Sequence, residues 1–169
     1  MSDKKDNLLD WLRDAHAMEQ QAEKMLQGQA SRLEHYPDLK LRIEQHIQET
    51  QGQIQLLENC LTRLGSKPSI FKDMAGKLTA FGQAMSGITV SDEVVKGAMS
   101  GYVFENMEIA AYTVLIAAAK TVGDQETQRA CEQILPQEEA MADWIKAHLP
   151  ELTEAFLNRS ASPDLEAKR

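Results

Sequence analysis

The feature that most constrains this fold is a pair of glutamates on the apolar side of a helical segment. Residues 101–119, GYVFENMEIAAYTVLIAAA, have the composition of a buried helix but contain Glu105 and Glu108. At about 100° per residue, Tyr112 and Leu115 fall on the same side as Glu108, and Glu105 lies on that stripe. An ionised carboxylate among apolar side chains is costly unless it is paired, protonated or bound to a cation. Its partners must therefore come from elsewhere in the chain.

Apolar residues at spacings of three and four predict four long helices in all. Each of the other three carries a glutamate on or beside its apolar stripe: Glu19 in the first, Glu49 in the second and Glu138 in the fourth. Pro136 is expected to kink or divide the fourth helix, and a short separate helix is expected after Pro150. The predicted long helices span about residues 5–33, 37–64, 92–123 and 124–149.

The connection between the second and third helices is long and contains a shorter amphipathic pattern. Within residues 65–91, apolar residues at helical spacing predict one more helix, which has no acidic residue on its apolar side. The chain is therefore predicted to be an all-α four-helix bundle with a long crossover and an extra short helix over residues 1–160, followed by a polar tail over residues 161–169. The apolar residues of the short helix are Phe71, Met74, Leu78, Phe81 and Met85.

The charge of the chain argues against nucleic acid and anionic membrane surfaces as partners. The chain carries 26 acidic and 18 basic residues among 169, a net charge of −8. It has no apolar run long enough to span a membrane, and its first residues, MSDKKDNLLDW, lack the apolar core of a signal peptide. Cys60 and Cys131 form no motif and fit as small core residues. We therefore expect a cytoplasmic protein.

The positions of the glutamates along their helices favour one shared site. Glu108 and Glu138 lie at equal distances in sequence from the turn that joins their helices, so they are level in an antiparallel pair. Glu19 and Glu49 lie at unequal distances in sequence from the turn that joins their helices, and the mismatch is about one helical turn. Glu23 is therefore an alternative to Glu19. Converging carboxylates repel one another unless they protonate or bind cations. We therefore predict two divalent cations, and an oxygen-rich site suits iron or manganese.

Two histidines lie one helical turn before these glutamates. His46 precedes Glu49 and could either bind a metal directly or orient Glu49. His16 precedes Glu19, and we interpret it as a core residue or one that lies behind the site. No catalytic residue is assigned. The predicted metal ligands are Glu19, Glu49, Glu105, Glu108, Glu138 and His46.

The chain resembles the bacterial YciE/YciF stress-response proteins of the ferritin-like superfamily over almost its whole length. The most specific parts are HIQET, at residues 46–50, and FENMEIAAY, at residues 104–112. The other segments are DWLRDAHAMEQQAEKML, RIEQHIQETQGQI, SDEVVKGAMSGYVFENMEIAAYT and QEEAMADW. The resemblance implies a rubrerythrin-like di-iron bundle and a role in bacterial stress responses. The ligand positions that it implies are Glu19, Glu49, Glu105 or Glu108, and Glu138.

The chain departs from the usual ferritin-like pattern at two positions. Di-iron sites in such bundles generally pair a glutamate with a histidine three residues later on two of the helices. Here Gly52 follows Glu49 at that spacing and Met141 follows Glu138, while His46 precedes its glutamate. This departure leaves open weak metal binding, a single bound ion and a vestigial site.

Two classes of function fit these observations. The first is a stress-response protein whose di-metal site oxidises ferrous iron or reduces a peroxide. The alternative is a metal-free helical interaction protein with a vestigial site that assembles as a homodimer or larger homo-oligomer. Iron storage is a further alternative, and it would require a shell-forming oligomer. The inward carboxylates favour metal, whereas the missing histidines favour the interaction protein.

Overall fold

The part of the chain that the structure describes folds into four long helices. The computed structural model describes residues 3–67, 91–162 and 165–167, and there is no strand within these ranges. The structure confirms the predicted all-α bundle, while the predicted crossover helix and its apolar residues lie outside the described ranges. None of the described helices has the length and apolar character needed to cross a membrane. The helices are α1 Lys4–Arg32, α2 Pro37–Arg63, α3 Glu93–Val122 and α4 Gln125–Ser160.

Short turns and ion pairs set the arrangement of the helices. A short turn joins α1 to α2 and another joins α3 to α4, so each pair runs antiparallel. In addition, α1 contacts α3 and α2 contacts α4. Arg32, at the end of α1, forms an ion pair with Glu93 at the start of α3. At the other end of the bundle, Arg63 of α2 lies 2.6 Å from Asp124, which caps α4. The two antiparallel pairs are thus joined at both ends.

α4 is continuous where the sequence predicted a kink or a division. It runs through Pro136 and Pro150, so the helix is not divided before Glu138, and the prediction of a separate short helix after Pro150 is wrong. The kink at Pro136 stays a prediction. A proline inside a helix removes one amide donor and crowds the carbonyl four residues earlier. Both prolines are exposed, as are Glu132 and Lys146 four residues before them. Water can therefore satisfy the freed carbonyls while the other side of α4 stays packed in the bundle.

Two apolar clusters fill the interior of the bundle. Buried polar residues from all four helices lie where the two clusters meet. The first cluster includes Leu8, Leu12, Leu57, Leu61, Leu115 and Ile134. The second cluster includes Leu26, Leu39, Ile43, Val94, Met141 and Ile145. The polar layer is thus flanked by apolar packing along the bundle axis.

Part of the predicted polar tail lies against the bundle. The hydroxyl of Tyr36, the N-cap residue of α2, donates to the Ala167 carbonyl oxygen at 2.5 Å. Arg159 Nε donates to the Glu166 carbonyl oxygen at 2.7 Å. Residues 165–167 are thereby fixed beside α2 and α4, and the boundary between bundle and tail at residue 160 stays a prediction.

The turn between α3 and α4 requires a glycine. Gly123 has a φ of 79°, which costs a residue with a side chain about 1–2 kcal/mol. Gly123→Ala is therefore expected to lower the free energy of unfolding in urea by about 1–2 kcal/mol. Gly52 is the matched control, because it is exposed inside α2 and an added Cβ meets no atom within 4 Å. Gly52→Ala should raise the free energy of unfolding by about 0.5–1 kcal/mol, and equal effects of the two substitutions would contradict this account.

Candidate metal centre

Each of the four helices turns an ionisable side chain into the polar layer. α1 supplies Glu19, α2 supplies His46, α3 supplies Glu105 and Glu108, and α4 supplies Glu138. All five are buried, and Glu105 is the most exposed of them at 3%. Each residue continues the apolar stripe of its helix, so the packing that buries the stripe buries the ionisable group as well. Buried ionisable groups require partners, and the geometry shows which ones are available.

Four of these side chains form a tight group. One ligand atom from each of His46, Glu105, Glu108 and Glu138 lies within 4.8 Å of the corresponding atoms of the other three. His46 Nε2 lies 3.2 Å from Glu105 Oε2 and 3.4 Å from Glu138 Oε2. Glu105 and Glu108 face the same way because residues three apart share one side of a helix. The inner group, as we call these four residues, places three carboxylates and one imidazole around one small space.

Glu19 extends the inner group on the side of α1. The Tyr112 hydroxyl donates a hydrogen bond to Glu19 Oε1. Glu19 Oε2 has no hydrogen-bond partner among the described residues. The carboxyl group lies close enough to Glu108 and Glu138 for mutual repulsion. Tyr112 therefore fixes one oxygen of Glu19 and leaves the other free to bind a cation.

Glu49 lies at the rim of the inner group and exposes 31% of its side chain. Its Oε2 atom lies 2.6 Å from His46 Nδ1 and 3.3 Å from Arg42 Nη1. Glu49 therefore reaches the inner group through the His46 ring and connects that ring to the surface.

Gln53 adds an amide to the layer beside α4. Its Nε2 atom donates to Glu138 Oε1 and, at 2.9 Å, to Gln137 Oε1. Gln53 Oε1 has no partner among the described residues, and neither has the buried Thr50 Oγ1. α2 thus brings polar atoms to the layer next to Gly52, the position at which di-iron four-helix bundles generally have a histidine.

Burial sets the protonation of most of the carboxyls. Burial, together with repulsion between the groups, raises the pKa of Glu19 and of Glu108 well above the ordinary value. Burial also raises the pKa of Glu105 to about 7, in spite of its contact with His46. Burial favours neutral Glu138 too, but contacts with His46 and the carboxyls of α3 outweigh it and lower its pKa. The metal-free protein therefore holds some of these carboxyls protonated at neutral pH.

His46 is the positive charge within the group. Burial alone would lower the pKa of His46, but contacts with Glu105, Glu138 and Glu49 outweigh burial and raise it to about 12. The contact with His46 in turn lowers the pKa of Glu49. In the metal-free protein, an imidazolium therefore neutralises part of the carboxylate charge.

The donor atoms fit a divalent cation. Buried polar atoms in native proteins nearly always have a partner, and a metal ion would supply the one these atoms lack. Carboxylate oxygens with one imidazole nitrogen form a donor set that suits iron or manganese. The carboxylate oxygens without a hydrogen-bond partner in the described chain are Glu19 Oε2, Glu105 Oε2, Glu138 Oε2 and both oxygens of Glu108.

The structure separates the predicted ligands into two sets. Five of them meet in the buried layer, while Glu49 lies at its rim. Glu23, the alternative to Glu19, lies nearer the surface and accepts hydrogen bonds from Gln27 and Gln51. His16 is buried outside the inner group, with its Nε2 atom 3.2 Å from Glu58 Oε1. That any of these residues binds metal stays a prediction.

Some contacts of the site were not predicted, among them those of Tyr112 and Arg42. Tyr112 was interpreted only as part of the apolar stripe, although it follows Glu108 by one turn and therefore lies on the same side of α3 as the carboxyls. Arg42 gave no signal, because its contact with Glu49 spans seven residues of α2 and depends on the direction of two long side chains.

The chain is similar to proteins of known structure over most of its length. A family model described as "Domain of unknown function (DUF892)" matches residues 3–158. A protein from Xanthomonas campestris shares 42% identity and a TM-score of 0.83, with 95% of this chain and 100% of that chain covered. The Escherichia coli stress protein YciF shares 20% identity and a TM-score of 0.78, with 88% and 96% covered. A ferritin-like, diiron-carboxylate protein from Bacillus anthracis shares 19% identity and a TM-score of 0.73, with 88% of this chain and 99% of that chain covered. The last two similarities show a shared fold.

Proposed function

We propose, from the premise that the chain belongs to the DUF892 family, that this protein is a bacterial stress-response protein. Its buried carboxylates hold two iron or manganese ions. The proposal is supported by the fold shared with a diiron-carboxylate protein and with a protein described as a stress protein. The reaction that we propose is oxidation of ferrous iron or reduction of a peroxide.

One observation carries this proposal. Carboxylate oxygens from α1, α3 and α4 face one another in the interior and have no hydrogen-bond partner among the described residues. Three carboxylates belong to the inner group, and Glu19 adds a fourth beside it. A chain that needed these positions only for packing would be more stable with apolar residues there. Cation binding is the function that gives these costly groups a role.

The chain's own residues would bind the ions and keep them from bulk water. The apolar clusters on both sides of the layer limit access along the bundle axis. Bound iron or manganese would supply the electron transfer that both proposed reactions require. The residues that would hold or support the ions are Glu19, Glu105, Glu108, Glu138, His46 and Glu49.

Metal analysis with a matched pair of variants tests the proposal. Protein purified under reducing conditions is offered ferrous or manganous ion, and the metal retained per chain is measured after gel filtration. The wild-type protein is expected to retain two ions, and Glu138→Gln should lose at least one of them. Glu139→Gln changes the exposed neighbouring carboxylate and should retain both. Equal retention by the two variants, or no metal in the wild-type protein, would overturn the proposal.

We further propose that the chain is of the YciE rather than the YciF type and works in the cytoplasm. Support for the type comes from HIQET and FENMEIAAY, the segments with the more specific resemblance, and from an identity with YciF of only 20%. Support for the location comes from the acidic composition of the chain.

A homo-oligomeric interaction protein is the second candidate, because one outward stripe of α3 is apolar. Met99, Val103 and Val114 lie on this stripe at helical spacing and are about half exposed. Trp11 of α1 is exposed beside Val114, where both border one groove. Exposed apolar surface of this kind commonly marks an interface. We propose a homodimer formed through this stripe, which is compatible with a metal site in each subunit.

Light scattering tests the proposed dimer. Val114→Lys should halve the mass in solution, because it places a charge in the apolar stripe. Gln55→Lys is the control, since Gln55 is exposed on α2, which does not carry the stripe. A wild-type protein with the mass of one chain would contradict the proposal.

A further inference from the structure

We propose that α2 contributes an imidazole rather than a carboxylate to the metal centre: His46 Nε2 is a ligand, and Glu49 is a positioning residue that orients the His46 ring. The inference rests on the proposed di-metal function and specifies its ligand set. The resemblance to rubrerythrin-like bundles implies the opposite assignment, in which Glu49 is the ligand of α2.

The two side chains of α2 lie at different depths. His46 exposes 1% of its side chain and Glu49 exposes 31%. His46 Nε2 lies within 3.4 Å of carboxylate oxygens from both α3 and α4. The group of ligand atoms that lie within 4.8 Å of one another includes His46 and does not include Glu49. In this geometry α2 reaches the centre with a nitrogen.

The inward nitrogen of His46 is aimed at the carboxylates without being hydrogen-bonded to them. Nε2 has no hydrogen-bond partner among the described residues, although Glu105 Oε2 and Glu138 Oε2 are 3.2 Å and 3.4 Å away. Neither oxygen is therefore in line with the N–H direction of the ring. A buried nitrogen that points between two carboxylates in this way is placed as a metal ligand would be.

Glu49 holds the ring in this orientation. Its Oε2 atom accepts a hydrogen bond from His46 Nδ1 at 2.6 Å, which leaves Nε2 as the nitrogen available to a metal. Metal-binding histidines almost always have such a partner on the other ring nitrogen. Arg42 Nη1 lies 3.3 Å from the same oxygen and holds Glu49 toward the surface. Turning Glu49 inward would break both contacts and leave a buried Nδ1 unpaired, which is costly.

This assignment also accounts for the missing histidine at Gly52. Related di-iron bundles take a nitrogen from the residue three positions after the glutamate. In this chain His46, three positions before Glu49, supplies the nitrogen instead, and the carboxylate takes the supporting role. α2 therefore still carries one carboxylate and one imidazole, but the imidazole faces the metal and the carboxylate supports it.

Pulsed electron paramagnetic resonance on protein loaded with one equivalent of manganous ion tests the ligand. The wild-type spectrum should show modulation from a directly bound imidazole nitrogen. His46→Gln should remove this modulation, while His16→Gln should retain it, because His16 pairs with Glu58 outside the inner group. Manganese bound without nitrogen modulation in the wild-type protein would overturn the inference and leave the di-metal proposal standing. Absence of manganese binding would overturn both.

The affinity for manganous ion tests the role of Glu49. Loss of a residue that orients a metal ligand weakens metal binding by about 10–100-fold. We expect Glu49→Ala to weaken the affinity for manganous ion by a factor in this range. Glu49→Gln keeps an oxygen that can accept from Nδ1, so it should bind within about tenfold of wild type and retain the nitrogen modulation. Equal losses of affinity in the two variants would identify Glu49 as a ligand through its charge and contradict a positioning role.

Discussion

Ferrous or manganous ion at a hundred times its dissociation constant is expected to raise the melting temperature of the wild-type protein by about 5–10 °C for each bound ion and to leave Glu108→Ala unchanged. The shift follows from about 2.7 kcal/mol of binding linkage in a chain of this size. Glu108 is decisive because both of its oxygens lack a partner in the described chain and lie within the inner group.

Without metal, Glu108→Gln is expected to leave the melting temperature unchanged or to raise it. The amide removes a carboxyl whose ionised form is repelled by Glu19 and Glu138, and it can donate to both of them. Differential scanning fluorimetry should therefore place the melting temperature of Glu108→Gln at or above that of the wild-type protein without the ion and below it with the ion. Glu139→Gln is the surface control and should follow the wild-type protein in both conditions. A metal-induced shift in Glu108→Ala equal to that of the wild type would end the account.

The metal-free protein is expected to lose stability as the pH rises from about 5 to 8. The folded-state pKa of Glu105 is raised to about 7 from an unfolded value of 4.5. The contribution of Glu105 to the free energy of unfolding is therefore fully present below pH 4.5 and is lost as the pH rises through about 7. The raised pKa values of Glu108 and His46 act in the same direction. For Glu105 alone, the free energy of unfolding is expected to fall by about 3 kcal/mol.

Urea unfolding across this pH range measures the effect. Glu105→Gln should flatten the part of the slope between about pH 4.5 and 7, because it removes the titrating group. Below about pH 4.5 the trend should reverse, since the lowered pKa values of Glu49 and Asp124 make their contributions disappear in acid. Metal-loaded protein should instead gain stability with rising pH, because ligands must lose protons to bind. A metal-free protein whose stability rises between pH 5 and 8 would contradict the protonation scheme.

Much of the fold could be predicted from the sequence because the helices are long and periodic. α1 and α2 begin and end within about a residue of the predicted positions, and Gly123 ends α3 as expected. Of the two outcomes predicted at Pro136, a division of α4 is wrong, because a rule based on local sequence does not register that the exposed side of the helix can tolerate a missing hydrogen bond. Tertiary packing of the buried side outweighs the local cost.

The inward placement of Glu108 and Glu138 could be predicted because helical periodicity and equal spacing from one turn determine it. The depth of Glu49 could not. His46 and Glu49 lie only about 60° apart around α2, so the helical period leaves open which of them points inward. The structure resolves this through Arg42, whose contact with Glu49 depends on two flexible side chains. Side-chain direction of this kind is not encoded in spacing.

The polar layer between the two apolar clusters also fixes how the helices align. Leucine and isoleucine side chains can pack against one apolar neighbour almost as well as against another. In a bundle packed only by them, one helix could therefore slide along the others by one turn, about 5.4 Å, at modest cost. Such a shift of α1 would separate Glu19 from Tyr112 and place a carboxyl among apolar side chains. The carboxyls thereby penalise every sliding alternative of the bundle, with or without metal. A variant of this chain that bound no metal would therefore still be expected to need these carboxyls, because they fix the register of the helices.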